Sequence, residues 1–204
     1  YEFKEARPVW ADGREREMNC ELAFRAVLPA GEIELALAAS SVYRLWINGK
    51  FICAGPARTA HGFYSVDTLQ LEGSLTEEEN VAVVEVVGYN VNSFDTLDQP
   101  AFLTAEFTRA GALVAYTGGN DIRIYDMGRR VERVQRYSFQ RAFAEDYRLR
   151  EADNGFYTQI SAKPWADREE ACRVQPEKRY VRRSARMPEY ECLPVRSMVE
   201  KGRA

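Results

Sequence analysis

Asn48-Gly49 interrupts two apolar-rich runs, Leu45-Trp46-Ile47 and Phe51-Ile52-Cys53. A two-residue type I′ turn needs positive φ at both central residues, and Asn-Gly adopts that geometry at little cost. The chain must therefore place two antiparallel strands here, joined by the tightest hairpin connection. Period-2 patterning extends the strand reading to either side. Cys20, Leu22, Phe24, Ala26 and Leu28 alternate with Glu21, Ala23, Arg25 and Val27, the pattern of a half-buried strand. Pro29-Ala30-Gly31 is a turn, after which Ile33, Leu35 and Leu37 alternate again. Val81 to Tyr89 is a near-continuous apolar run, which predicts a central strand covered on both faces.

Phe102 to Phe107 and Leu113 to Tyr116 read as two more strands, joined by Arg109-Ala110-Gly111. Ile122 to Tyr125 and Tyr137 to Phe143 are further strand candidates, and Gly118-Gly119-Asn120-Asp121 is a turn. Helical patterns are few. Ser74 to Asn80 reads as a capped turn or a solvated loop, and Ala142 to Arg150 as a short helix or irregular segment. Many short strands punctuated by Gly, Pro and Asn predict an all-β fold, an antiparallel β-sandwich. The pattern decays after Trp165. We expect the sandwich over 1–165 and a linker or extended arm over 166–204, punctuated by Pro176, Pro188 and Pro194.

The charge balance excludes some partners. Net charge is −3, which gives no footprint for nucleic acid or an anionic membrane, although Cys172 onward holds nine Lys/Arg against four Asp/Glu. No run of about eighteen apolar residues could span a bilayer. No signal-peptide pattern and no initiator Met precede Tyr1, so the chain reads as trimmed. Cys20, Cys53, Cys172 and Cys192 share no metal-ligand spacing, and one histidine, His61, cannot complete a zinc cluster. Four reduced thiols in a cytoplasmic protein are expected, with Cys20 and Cys53 in the core. No metal and no cofactor are expected.

Candidate chemistry is sparse. There is no Walker A, GxGxxG or nucleophile elbow. The paired carboxylates Glu145-Asp146 and Asp95 with Asp98 could be compared to a glycosidase pair. Adjacent residues point apart, however, and Asp95 and Asp98 belong to a turn-rich loop stabilised by Asx turns. No catalytic residue is assigned. Carbohydrate binding needs aromatic faces beside amides and carboxylates. Tyr89, Asn90, Asn92, Phe94 and Asp95 supply that mix, with Tyr64 and Trp165 as possible additions.

Tyr43-Arg-Leu-Trp-Ile-Asn-Gly-Lys50, then Gly55-Pro56-Ala57-Arg58, then His61-Gly62-Phe63-Tyr64 with Asp67, resembles the N-terminal β-sandwich of bacterial α-L-rhamnosidase-like glycoside hydrolases. The similarity runs from Phe24 to Glu145. It takes in Ile33 to Leu37, Asn80-Val-Ala-Val83, Val87-Gly-Tyr-Asn90, and Tyr137 to Arg141 with Phe143 and Glu145. Arg179 to Tyr190 is similar to the connector toward the next domain. The resemblance implies a galactose-binding-like jelly roll that precedes a helical catalytic barrel, with the acid and base carboxylates in that barrel. Such sandwiches often hold structural calcium, but no dense Asp/Asn ligand run is present here. The implied function is a non-catalytic accessory domain whose partner is the catalytic domain of the same polypeptide, with carbohydrate contact and a homodimer as further expectations. The alternative is an independent carbohydrate-binding module. Arg179 to Pro194 is expected to run along the sandwich surface or be poorly ordered, and the end of the sandwich near Tyr89–Pro100 to carry exposed apolar residues.

Overall fold

A computed structural model of the chain describes residues 1–204 except 72, 74, 77, 192, 195, 196 and 198–204. Among the described residues thirteen strands form two sheets. The first contains β1 (Val9–Ala11), β3 (Glu34–Ala39), β6 (Tyr64–Gln70), β8 (Leu103–Arg109), β9 (Ala112–Tyr116), β12 (Cys172–Val174) and β13 (Tyr180–Arg182). Its order is β12-β1-β8-β3-β6-β13, with β9 also on β8. The second contains β2 (Cys20–Leu28), β4 (Tyr43–Ile47), β5 (Lys50–Gly55), β7 (Asn80–Gly88), β10 (Ile122–Tyr125) and β11 (Glu169–Glu170), in the order β11-β10-β2-β7-β4-β5. The result is the expected all-β sandwich, antiparallel throughout except where β13 joins β6 in parallel.

The alternating residues do what their period dictates. Leu22, Phe24, Leu28, Ile33, Leu35, Leu37, Leu45, Ile47, Val84 and Val86 all enter one core between the sheets. At roughly 25 cal/mol per Å² of apolar surface removed from water, each such side chain contributes about 1.5–3 kcal/mol. The hairpin turn has φ of 50° at Asn48 and 77° at Gly49, as type I′ requires. Asn48 also clamps the turn to its neighbour: its Oδ1 accepts the Val81 N–H at 2.9 Å and its Nδ2 donates to Asn80 Oδ1 at 2.7 Å.

Every residue of β7 is buried, as its near-continuous apolar run predicts. One face lies in the main core. The segment from Asp126 to Arg168 covers the other, where Val81 and Val83 pack with Met127, Phe156, Tyr157 and Trp165. That strap departs from the sequence reading. Tyr137–Phe143 is not a strand, because its pairing is limited to a bridge between Arg136 and Phe143. Ala142–Arg150 is the irregular segment of the two alternatives, with isolated bridges at Phe143 and Tyr147. The helical turns come later, as 3-10 helices over Glu151–Tyr157 and Lys163–Arg168. Arg168 Nη1 donates to the buried Asp153 Oδ1 at 2.9 Å and ties those two turns together.

Beyond 165, the described residues as far as Tyr190 pack on the sandwich. Short edge strands β11, β12 and β13 add to both sheets. Arg183 Nη1 donates to the fully buried Asp67 at 2.9 Å, and Tyr190 packs edge-on against Phe51 with ring centroids 5.1 Å apart. The arm therefore runs along the sandwich surface at least to Tyr190. Ser74 and Glu77, within the expected capped turn, and Cys192 lie outside the described residues. No helix among the described residues is long and apolar enough to cross a membrane.

Candidate functional site

Five connections meet at one end of the sandwich and leave a cleft of about 600 Å³. They are the Ser40–Val42 turn, Gly55 with the Pro56–Phe63 loop, the start of β6, the Ser93–Gln99 loop and Ala142 of the strap. Gly55 is dictated by a close approach. A Cβ there would sit 2.5 Å from Tyr43 Cε1 and 2.6 Å from Asp67 Oδ2. Those two side chains are hydrogen-bonded to each other beneath the loop, and Arg183 closes the set. Burial, and then the Asp67 charge, push the Tyr43 hydroxyl pKa far up, so it stays a neutral donor.

The walls are aromatic and amide-rich. Tyr64 donates its hydroxyl to Gln99 Oε1 at 2.8 Å, and Gln99 Nε2 donates to the Ser40 carbonyl at 2.8 Å. Phe94 stands 67% exposed at the rim, its backbone N–H held by the Gln140 carbonyl at 3.0 Å. Asp95 is ion-paired with Arg58, both solvent-exposed, and His61 is an exposed lining residue. At the floor Ser65 is 2% exposed, and its Oγ has no hydrogen-bond partner among the described residues. Such a group lacks compensation for its desolvation until a ligand or water supplies a bond.

Of the seven residues named from sequence for carbohydrate, the cleft brings together Tyr64, Tyr89, Phe94 and Asp95. The other three are elsewhere for physical reasons. Asn90 adopts φ of 50°, and its Nδ2 donates to the Glu15 and Glu17 carbonyls at 3.0 and 2.9 Å, so it is a loop anchor. Asn92 Oδ1 accepts the Asp98 N–H at 3.0 Å and shapes the loop from within. Trp165 is 5% exposed and stacks edge-on with Phe156 under the strap. Sequence reasoning missed Ser65, Gln99 and the Ser40–Val42 turn. The one available signal was Tyr64-Ser65 at the start of a strand whose alternate positions, Ser65 and Asp67, are polar where a core residue is expected.

The carboxylates of the end cleft and of the outer sheet face are paired with arginines. Glu21 and Glu85 lie on one face of β2 and β7, but Arg44 bonds both and Arg129 bonds Glu85. Glu145 pairs with Arg130 at 3.2 Å. Glu17, Cys20 and Glu132 bring possible metal-ligand atoms within 4.8 Å of one another. Arg14 already reaches into that group, 2.6 Å from Glu17 and 3.4 Å from Glu132. Burial pushes the Cys20 thiol pKa strongly up, against the thiolate that a metal needs.

No protein-family model and no curated protein matches the chain. Solved structures do. A GH78 family rhamnosidase of Bacillus sp. GL1 aligns over 92% of this chain at 24% identity with a TM-score of 0.79, using 20% of its own length. An α-L-rhamnosidase from Aspergillus terreus aligns over 87% at 14% identity and 0.61, using 22% of its own length. One from Streptomyces avermitilis, in complex with L-rhamnose, aligns over 83% at 11% identity and 0.51, using 14% of its own length. The chain thus spans between 14% and 22% of each of these proteins, and it has the fold of a β-sandwich found within solved rhamnosidases.

Proposed function

We propose that this chain acts as a non-catalytic accessory domain, N-terminal to the catalytic barrel, of an α-L-rhamnosidase-like glycoside hydrolase, and that its end cleft contacts carbohydrate. The observation that carries the reading is the alignment of nearly the whole chain with one fifth of the Bacillus rhamnosidase. Fold alone does not give function, so the chemistry of the site has to agree with it. It does so in two ways. Asp95 at the end cleft, and Glu21, Glu85 and Glu145 on the outer face of the sheet, are each paired with an arginine, which suits a supporting role better than acid–base work. The end of the sandwich presents Phe94, Leu97, Tyr137 and Phe139 to solvent at 67%, 43%, 91% and 79%. Exposed apolar groups in one region mark an interaction surface, and the catalytic domain of the same polypeptide is the partner this reading assigns to it. Cys20, Cys53 and Cys172 are free thiols, in keeping with a reducing, cytoplasmic location.

The aromatic and amide lining of the cleft favours the second reading, an independent carbohydrate-binding module. Titration of the purified chain with L-rhamnose and rhamnose-containing oligosaccharides tests both. We expect no turnover of an aryl α-L-rhamnoside and weak saturable sugar binding that Phe94→Ala reduces roughly tenfold, the loss of one stacking face. Turnover abolished by Asp95→Asn would overturn the accessory role. Tight glycan binding by the chain alone would favour the independent module.

A further inference from the structure

Arg25 points from β2 to the outer face of its sheet and is only 5% exposed, yet among the described residues no carboxylate lies within ion-pair distance of it. The guanidinium is held by main-chain carbonyls instead. Nε donates to Phe156 at 3.1 Å, and Nη2 to Gln159 and, at 3.1 Å, to Ile160. The Phe156 ring lies 5.5 Å beneath it. Three carbonyls fix its direction but do not neutralise it, and a buried charge without a counter-charge is costly. Burial accordingly lowers the Arg25 pKa, with a small opposing contribution from Tyr125 and none from an acid.

Among the described residues Nη1 has no hydrogen-bond partner, and it is not among the buried unpaired atoms. It belongs to a residue that lines a separate cleft of about 420 Å³, bounded also by Arg123, Lys163, Asp121, Tyr125 and Glu169. Arg123 spends its charge on Glu169 at 2.6 Å, whereas Lys163 has no ion pair among the described residues. A rigid, preoriented guanidinium with one free edge and an ammonium on the rim is the arrangement that takes a carboxylate or sulfate. We propose that this cleft is an oxyanion-binding site, which receives the carboxylate or sulfate group of an acidic sugar or the free anion itself. It is distinct from the end cleft and does not depend on the reading of that cleft.

The test is a titration of the whole chain, followed by NMR or calorimetry, with methyl glucuronoside, sodium sulfate and methyl glucoside as probes. Saturable binding of the glucuronoside with none of the glucoside supports an acidic sugar. Binding of sulfate alone supports a free-anion site. Lys163→Ala should weaken binding roughly two- to fivefold, as expected for one exposed charge. Asp121→Asn should strengthen it by a similar factor, because it removes a like charge from the wall. That gain is a readout no folding defect would produce. Arg25→Met should abolish binding, and the two rim variants keep the test open if Arg25→Met does not fold. Equal binding of glucoside and glucuronoside, no saturable binding of any probe, or indifference to both rim variants would overturn the proposal.

Discussion

The inner face of β7 carries Ala82, Val84 and Val86, and its outer face carries Glu85 between Val83 and Val87. Both faces are buried, but different physics builds them. Inside, Ala82, Val84 and Val86 interlock with apolar side chains from both sheets. Outside, Glu85 at 2% side-chain exposure is bonded by Arg44, Arg129, Trp46 Nε1 and the Tyr157 hydroxyl. Glu21 shares Arg44 and accepts a hydrogen bond from Tyr147, which in turn accepts one from Arg130. The strap supplies most of these partners from more than forty residues away. The comparison teaches that one strand can be covered on both sides by unrelated means: alternation within the sheets, and ion pairing with a distant irregular segment.

The largest effect that tests this contrast is the loss of Glu85. Glu85→Ala leaves Arg44 and Arg129 facing each other over a buried sheet without their shared counter-charge. Breaking such a pair costs about 3–5 kcal/mol, and because Arg44 keeps partial solvent contact we expect about 3 kcal/mol in urea unfolding. On the inner face Leu45→Ala should cost a comparable amount, about 3 kcal/mol, through transfer and cavity terms. The two variants differ in coupling. Combined with Arg129→Ala, the Glu85 change should be far from additive, whereas Leu45→Ala and Arg129→Ala should add within about 0.5 kcal/mol. Additivity in both cycles would mean that the outer network is not a unit.

What could be read from sequence follows the same division. The hairpin was legible from its Asn-Gly turn, β2 and β3 from alternation against a core, β7 from its near-continuous apolar run, and β8, β9 and β10 as short apolar stretches bounded by turn residues. The strap was not. Met127, Arg129, Arg130, Tyr147, Phe156, Tyr157 and Trp165 reach the sheet at irregular sequence spacing, so no single period organises them, and backbone pairing is limited to isolated bridges. The edge strands β11 to β13 are two or three residues long and largely exposed, too short for alternation to show. At the candidate site, aromatic residues in the Tyr89–Asp95 loop were visible as types. Their roles depended on which way the loop turned: a left-handed Asn90 sends its amide back to Glu15 and Glu17, and the floor residue Ser65 lies on another strand altogether.

A smaller effect separates turn chemistry from docking in the hairpin. Asn48→Gly keeps the positive φ but removes both side-chain bonds to Asn80 and Val81. Net loss of such bonds is about 1 kcal/mol each at most, and we expect roughly 1 kcal/mol in total. Asn48→Ala loses the same bonds and keeps a Cβ in the left-handed region without the side-chain amide that makes that region tolerable for Asn, for about 1 kcal/mol more than Asn48→Gly. Thermal unfolding of the pair orders them. If Asn48→Gly proves as costly as Asn48→Ala, the clamp onto β7 outweighs the turn.

The smallest effect lies in the pH dependence of the outer face, where two glutamates on one network should respond with opposite sign. Burial, reinforced by the Glu85 charge, raises the Glu21 pKa above its ordinary 4.5 despite Arg44. Burial also pushes Glu145 upward, but the Arg130 charge and hydrogen bond outweigh it and hold its pKa below 4.5. A raised native pKa means that the folded state holds its proton longer. The Glu21 contribution is therefore full below about pH 4.5 and is lost as pH rises through the native value. A lowered native pKa reverses this, so the Glu145 contribution is present above about pH 4.5 and is lost as pH falls through its native value. Unfolding midpoints measured across this range should then diverge in a defined way. Glu21→Gln should gain stability relative to the parent chain as pH rises above about 4.5. Glu145→Gln should lose stability at neutral pH and approach the parent chain on acidification. Parallel curves for both variants would mean that the strap does not hold these carboxylates against the arginines in solution.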